Sequence, residues 1–83
     1  MPWSFAGVGV KEVQTGLEVE WVLPDTWAQR VGLQPGDRLL TFGSAPVFTQ
    51  LCMQTMLRAT PAGAQTAATW ARGNTLEQGE APL

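Results

Sequence analysis

Apolar and polar positions alternate along two segments near the start of the chain, and this two-residue period predicts a pair of β-strands. The first segment, Phe5–Val13, contains two glycines, which is unusual for the interior of a strand. The second, Leu17–Leu23, alternates more clearly, and Pro24 ends it. Its apolar face predicts that Trp21 lies in the core. A turn ending at Gly16 joins the two strands.

Two later segments carry helix-start signals. Asp25 or Thr26 can cap a short helix over Trp27–Val31. Thr49 is a suitable N-cap for a longer helix over Gln50–Ala59, which ends shortly before a proline. These signals predict two helices set between short strands.

Four further strands are predicted, with turns that contain glycine, asparagine or proline between several of them. They are Arg38–Phe42, Pro46–Val47, Gln65–Ala71 and Thr75–Leu83. The last of them has poor strand propensity, so we expect residues 76–83 to pair weakly or fray. The whole pattern predicts an α+β fold, a small antiparallel β-barrel or sandwich of five or six short strands capped by two helices.

Composition limits the chemistry available to such a domain. With 83 residues the chain has room for one small core, and we expect a single domain over 1–83. Histidine is absent and Cys52 is the one cysteine, so we expect no internal disulfide, no metal site and no cofactor. A net charge of −2 without a basic cluster argues against nucleic acid as a partner. Apolar runs of only a few residues argue against direct membrane insertion.

The run Asp25–Leu40 carries a recognisable motif. Thr26-Trp27-Ala28 is followed by the pairs Gly32-Leu33 and Gly36-Asp37. In order and spacing this run resembles the Ser-Pro-Ala…Gly-Leu…Gly-Asp signature of PDZ domains of the bacterial, protease-associated type. Trp27 stands where that family usually has proline.

Two other motifs fit the same family. Phe5-Ala6-Gly7-Val8 resembles its carboxylate-binding loop, although Ala6 is smaller than the usual leucine. Ala62-Gly63 and Arg72-Gly73 resemble its later Pro-Gly and Arg-x-Gly turns. The resemblance therefore covers nearly the whole chain.

The resemblance implies a peptide-binding groove beside the first strand, whose open edge takes up an extended peptide as an additional strand. The expected carboxylate donors are the backbone N–H groups of Phe5, Ala6 and Gly7. A second loop register, Gly7-Val8-Gly9-Val10, stays open, and so does the interpretation of these glycines as a bent strand. The candidate binding residues on this side are Phe5, Ala6, Gly7, Val8, Gly9 and Val10.

The second helix is expected to form the apolar wall of the groove. Its apolar arc centres on Cys52, Met56 and Ala59, which we assign to the core. In the resembling family the groove-facing residues follow core residues by one position, which selects Met53 and Leu57, with Met56 shared. The competing interpretation places Met53, Met56 and Leu57 all in the core.

The remaining tryptophans suggest different environments. Trp70 lies on a strand with small neighbours and is expected to fill core space. Trp27 begins the first helix, where it is either an exposed interface residue or packed on the surface of its own domain.

The predicted function is that of a non-catalytic peptide-binding module. It captures the C-termini or exposed apolar segments of partner or substrate polypeptides. A self-contained enzyme is not expected, because a Ser4–Lys11 dyad would have nothing to lower the lysine pKa.

The resemblance also implies a larger parent, a bacterial peptidase of the cell envelope whose catalytic domain is a second partner. In that setting the domain recruits substrate or regulates the peptidase. The alternative function is a docking or oligomerisation domain with an unused or closed groove, which would use the surface around Trp27.

Overall fold

The computed structural model describes residues 6–83. Six strands and two helices follow one another over this range. They are β1 (Val8–Val13), β2 (Gly16–Val22), α1 (Trp27–Val31), β3 (Arg38–Phe42), β4 (Ala45–Pro46), α2 (Gln50–Ala59), β5 (Gln65–Arg72) and β6 (Thr75–Pro82). Both helices and β3 have the bounds that the sequence predicts.

The six strands form one antiparallel sheet with the order β1-β2-β3-β5-β6, and β4 pairs with β3 beside this path. Helix α1 packs against β6 at one end of the sheet, and α2 packs against β1 at the other. The predicted α+β architecture is confirmed. Within the sheet, β1 and β6 each have one side without a neighbouring strand.

The final segment pairs with β5 along the whole of β6, from Arg72 opposite Thr75 to Gln65 opposite Pro82. The hairpin turn explains part of this, because Gly73 has a φ of 62°, which a two-residue hairpin turn requires at that position. Gly79 explains another part. Its missing side chain lets the backbone of α1 at Val31 lie directly against β6.

A β-bulge in β2 reverses which residues face the core. Gly9 pairs with Trp21 while the next residue, Val10, pairs with Val19, so Glu20 has no residue opposite. One extra residue on one strand shifts its inward and outward alternation by one position. Trp21 therefore faces outward.

The prediction that Trp21 lies in the core is wrong for this reason. Its side chain is 47% exposed, and its indole covers Gly9 on the neighbouring strand, where a Cβ would collide with the ring. Val22 packs against the core in its place. The absence of a side chain at Gly9 thus allows the Trp21 ring to lie directly against β1.

Two other tryptophans lie in the core. Trp70 is buried, as predicted. Trp27 is also buried, so of the two environments considered for it the exposed interface is excluded. Its ring meets Phe42 edge-to-face at a centroid distance of 5.0 Å, and its Nε1 donates to the Thr66 carbonyl at 2.9 Å. Small residues on the inner face of β5, such as Ala68, leave room for both indoles.

A buried carboxylate joins α1, β3 and β5. Asp37 is 1% exposed and accepts from Arg72 Nε at 2.9 Å and Nη2 at 2.8 Å. It also accepts from the backbone N–H of Gln34 at 2.7 Å, and Arg72 Nη2 donates to the Gly32 carbonyl at 2.8 Å. The bonds to Asp37 raise the pKa of Arg72 above its ordinary value. The turn after α1 is thereby fixed to the sheet.

Asp37→Asn should lower the free energy of unfolding by about 3 kcal/mol, because it leaves an amide group against donors in a buried site. The matched control is Glu18→Gln, since Glu18 pairs with Lys11 at 3.2 Å where both side chains reach solvent. That change should cost less than about 1 kcal/mol. Urea denaturation of the two variants measures both values, and equal losses would contradict the role assigned to Asp37.

Candidate functional site

The two outer edges of the sheet differ in how open they are. Along β6 the outward backbone groups belong to a segment with two glutamates, a glycine and a proline, a composition that discourages pairing. The Pro82 carbonyl is already bonded to Arg30 Nη2 at 2.8 Å. β1 has the sequence Val-Gly-Val-Lys-Glu-Val and is the edge suited to accept another strand.

The register of the β1–β2 hairpin fixes which backbone groups of β1 point outward. A two-residue turn joins Val13 to Gly16, so this pair exchanges hydrogen bonds and the next pair does not. The alternation directs the N–H and C=O groups of Val10 away from β2. Beyond the bulge, the Gly7 carbonyl accepts from Leu23 N at 2.9 Å, so Gly7 faces β2 and Val8 faces outward. Val8 and Val10 thus offer two strand-pairing positions.

A hydrogen bond between a backbone carbonyl of the loop before β1 and helix α1 fixes the orientation of that loop. Ala6 is buried, and its carbonyl accepts from Ala28 N in α1 at 3.0 Å. In a trans peptide the N–H points opposite to the carbonyl. The Gly7 N–H therefore points away from α1, and the Val8 N–H points away from β2, toward the open edge. Two backbone donors thus lie at the start of that edge.

Gly7 is required at its position in the loop. Its φ is 79°, and a Cβ there would collide with the side chain of Thr26. The sequence selected Phe5, Ala6 and Gly7 as donors. Phe5 lies outside the described residues. Val8 was among the candidate binding residues, and its outward N–H is a backbone donor beyond the three that the sequence analysis named.

Helix α2 starts as predicted, but it is rotated about its axis relative to the orientation that the sequence suggested. The Thr49 hydroxyl accepts from Cys52 N at 3.1 Å, which confirms the N-cap. Cys52 and Ala59, which we assigned to the core, are exposed. Met53, which we assigned to the groove, is 3% exposed and belongs to the core cluster instead. The apolar residues of α2 cover a broad arc of its surface, so the sequence pattern alone did not determine which side of the helix faces the core.

The side of α2 that faces β1 is identified by Gln50. Its Nε2 donates to the Val10 carbonyl at 2.8 Å, and its backbone N–H donates to Glu12 Oε1 at 2.9 Å. Leu57 comes seven residues later and lies on the same face of the helix, half-buried against the core. Met56 lies on the other flank, where its Cε would be 3.6 Å from a Cβ on Gly43. Leu57 is therefore better placed than Met56 to line a groove along β1.

Several solved structures have a similar arrangement of helices and strands. A crystal structure of the HtrA3 PDZ domain bound to a phage-derived ligand, FGRWV, has 19% sequence identity and a TM-score of 0.79, over 94% of this chain and 83% of that one. The fold is that of a PDZ domain. At this level of identity the likeness establishes the fold alone.

Two structures of the HtrA-type protease AlgW with a decapeptide, one of them a variant, contain the same fold. Each has 23% identity, with TM-scores of 0.89 and 0.83. The matches cover 96% and 98% of this chain but only 28% and 30% of the AlgW chains, so this chain spans less than a third of their length. No family model and no curated protein sequence matches the chain.

The chemistry of the side chains around the groove is limited. Residues 6–83 contain no group of three or more histidine, cysteine, aspartate or glutamate side chains able to hold a metal ion. The Cys52 thiol lies on the exposed side of α2, where hydrogen bonding to Thr49 and Phe48 lowers its pKa. Neither helix in this part of the chain is long and apolar enough to cross a bilayer.

The rotation of α2 predicts opposite outcomes for two adjacent residues. Met53→Ala should lower the free energy of unfolding by about 3 kcal/mol, since it empties a buried site. Cys52→Ala should leave it nearly unchanged, because the thiol is exposed and the backbone bond to Thr49 remains. Chemical denaturation measures both. A larger loss for Cys52→Ala would restore the orientation that the sequence suggested.

Proposed function

We propose that this PDZ fold is a non-catalytic module that captures an apolar polypeptide C-terminus by strand addition to β1. The observation that carries the proposal is the pair of outward N–H groups at Gly7 and Val8, at the start of a strand that has no neighbouring strand on one side. A terminal carboxylate is the ligand group that such adjacent backbone donors suit. An extended chain running away from it pairs with Val8 and Val10.

The side chains along the proposed groove favour an apolar ligand. Val8 and Val10 are half-buried against the core, and Leu57 lies on the helix face directed to β1. Seven helical residues separate Leu57 from Gln50 by about 10 Å, roughly the length of three strand residues. This spacing suits contact between Leu57 and the last side chain of a ligand anchored at the loop.

The solved relatives support the same proposal. The HtrA3 PDZ domain holds a peptide that ends in valine, and AlgW holds a decapeptide. By analogy we propose that the domain belongs to a larger peptidase of the cell envelope, where it recruits substrate or regulates the catalytic domain. The alternative function, docking through the surface around Trp27, is not supported, because Trp27 is buried.

The proposal predicts a strong preference for a free carboxylate. The pentapeptide Phe-Gly-Arg-Trp-Val should bind more tightly than its C-terminal amide by about 1.5–3 kcal/mol, the range for hydrogen bonds to a charged group. Isothermal titration calorimetry with both forms measures this difference. Equal affinities would show that the Gly7 and Val8 donors do not bind a terminal carboxylate.

Leu57 provides a test of the apolar wall. Leu57→Ala should weaken binding of the same pentapeptide by roughly 1 kcal/mol or more, because apolar contact is lost. Its cost to folding should stay near 1 kcal/mol, below the range for a fully buried leucine. The matched control is Leu76→Ala, which removes an equal side chain from β6 at a position that is 76% exposed. Equal binding by both variants would place the apolar contact elsewhere.

A further inference from the structure

We propose that the side-chain amide of Gln50 competes with the ligand backbone for the Val10 carbonyl, and that binding of a strand to β1 displaces it. The inference rests on the proposed function. The hydrogen bond between Gln50 and Val10 lies within the free protein. We infer that it sets which ligands are tolerated at the third residue from their C-terminal end.

Antiparallel pairing identifies the ligand group that competes. With the carboxylate at the Gly7 and Val8 N–H groups, the N–H of the last ligand residue reaches the Val8 carbonyl. Hydrogen-bonding positions repeat every second residue along each strand. The third residue from the end therefore meets Val10, where its carbonyl accepts from the Val10 N–H and its own N–H seeks the Val10 carbonyl.

The Val10 carbonyl already has a partner. Gln50 Nε2 donates to it at 2.8 Å, across 40 residues of sequence. The Gln50 backbone N–H is bonded to Glu12 Oε1 at 2.9 Å, which places a carboxylate at the positive end of the helix. This second bond holds the first residue of α2 beside β1 and so directs its side chain at Val10.

The contact is an exposed one, so it competes with a ligand rather than excluding it. A ligand whose third residue donates an N–H exchanges one hydrogen bond for another and gains little. A ligand without that N–H, such as one with proline at the third position from its end, leaves the Gln50 bond intact. The groove should therefore tolerate proline or an ester at this position, where an ordinary strand-pairing edge would discriminate against it.

The test pairs a protein variant with a ligand variant. The ligands are Phe-Gly-Arg-Trp-Val and its analogue in which an ester oxygen replaces the arginine N–H, third from the C-terminus. The proteins are the original chain, Gln50→Ala, and the control Gln78→Ala, which removes an exposed glutamine from β6 at the other edge of the sheet. Calorimetry gives six dissociation constants, and melting temperatures check that all three proteins are folded.

The original protein and Gln78→Ala should bind the two ligands within about twofold of each other. Gln50→Ala should bind the amide ligand about three- to tenfold more tightly than the original protein, the range for one hydrogen bond, and the ester with unchanged affinity. Tighter binding of the amide ligand alone is the expected signature of competition for the Val10 carbonyl.

Two results would overturn the inference. If Gln50→Ala changes the affinities for the amide and ester ligands equally, or changes neither, Gln50 does not compete with the ligand N–H and the proposed function stands. If neither the original protein nor Gln50→Ala binds either ligand, the proposed function fails as well.

Discussion

Backbone N–H and C=O groups at the edge of a sheet need partners, and the two edges of this sheet meet that requirement differently. Along β6, charged residues and Pro82 discourage pairing, and Arg30 covers the last carbonyl. Along β1, small and apolar residues leave Val8 open, and a glutamine side chain satisfies the carbonyl of Val10. The proposed groove is thus the place where the sheet is incomplete.

The rest of the fold keeps that edge in position with a small core. Two indoles fill the interior, and the buried Asp37 carboxylate fixes the turn after α1 to the sheet through Arg72. Helix α1 then holds the loop at Ala6 through its own Ala28 N–H. The direction of the loop donors therefore depends on contacts that the ligand never touches.

Local signals in the sequence were sufficient for the elements and for part of the site. Helix bounds and the Thr49 cap follow from neighbouring residues, and Gly7 was recognised from its loop motif. The bulge at Glu20 has no local signal, because it arises from the pairing of two strands, and it reversed the prediction for Trp21.

Contacts between distant segments account for the other differences. Cys52 and Met53 are adjacent on a broad apolar arc, so only packing against the sheet decides which one is buried. The bond from Gln50 to Val10 joins residues 40 positions apart, and no periodicity or motif predicts it. The orientation of α2 was accordingly less predictable than its bounds.

The glycine in β6 has a consequence for the loop before β1. Helix α1 lies directly on Gly79 through Val31, and the same helix holds the Ala6 carbonyl through Ala28. Because α1 is only five residues long, it couples the last strand directly to the first loop. A side chain at Gly79 would displace α1 from β6, so the position of the loop donors is set partly by how small a residue the last strand carries.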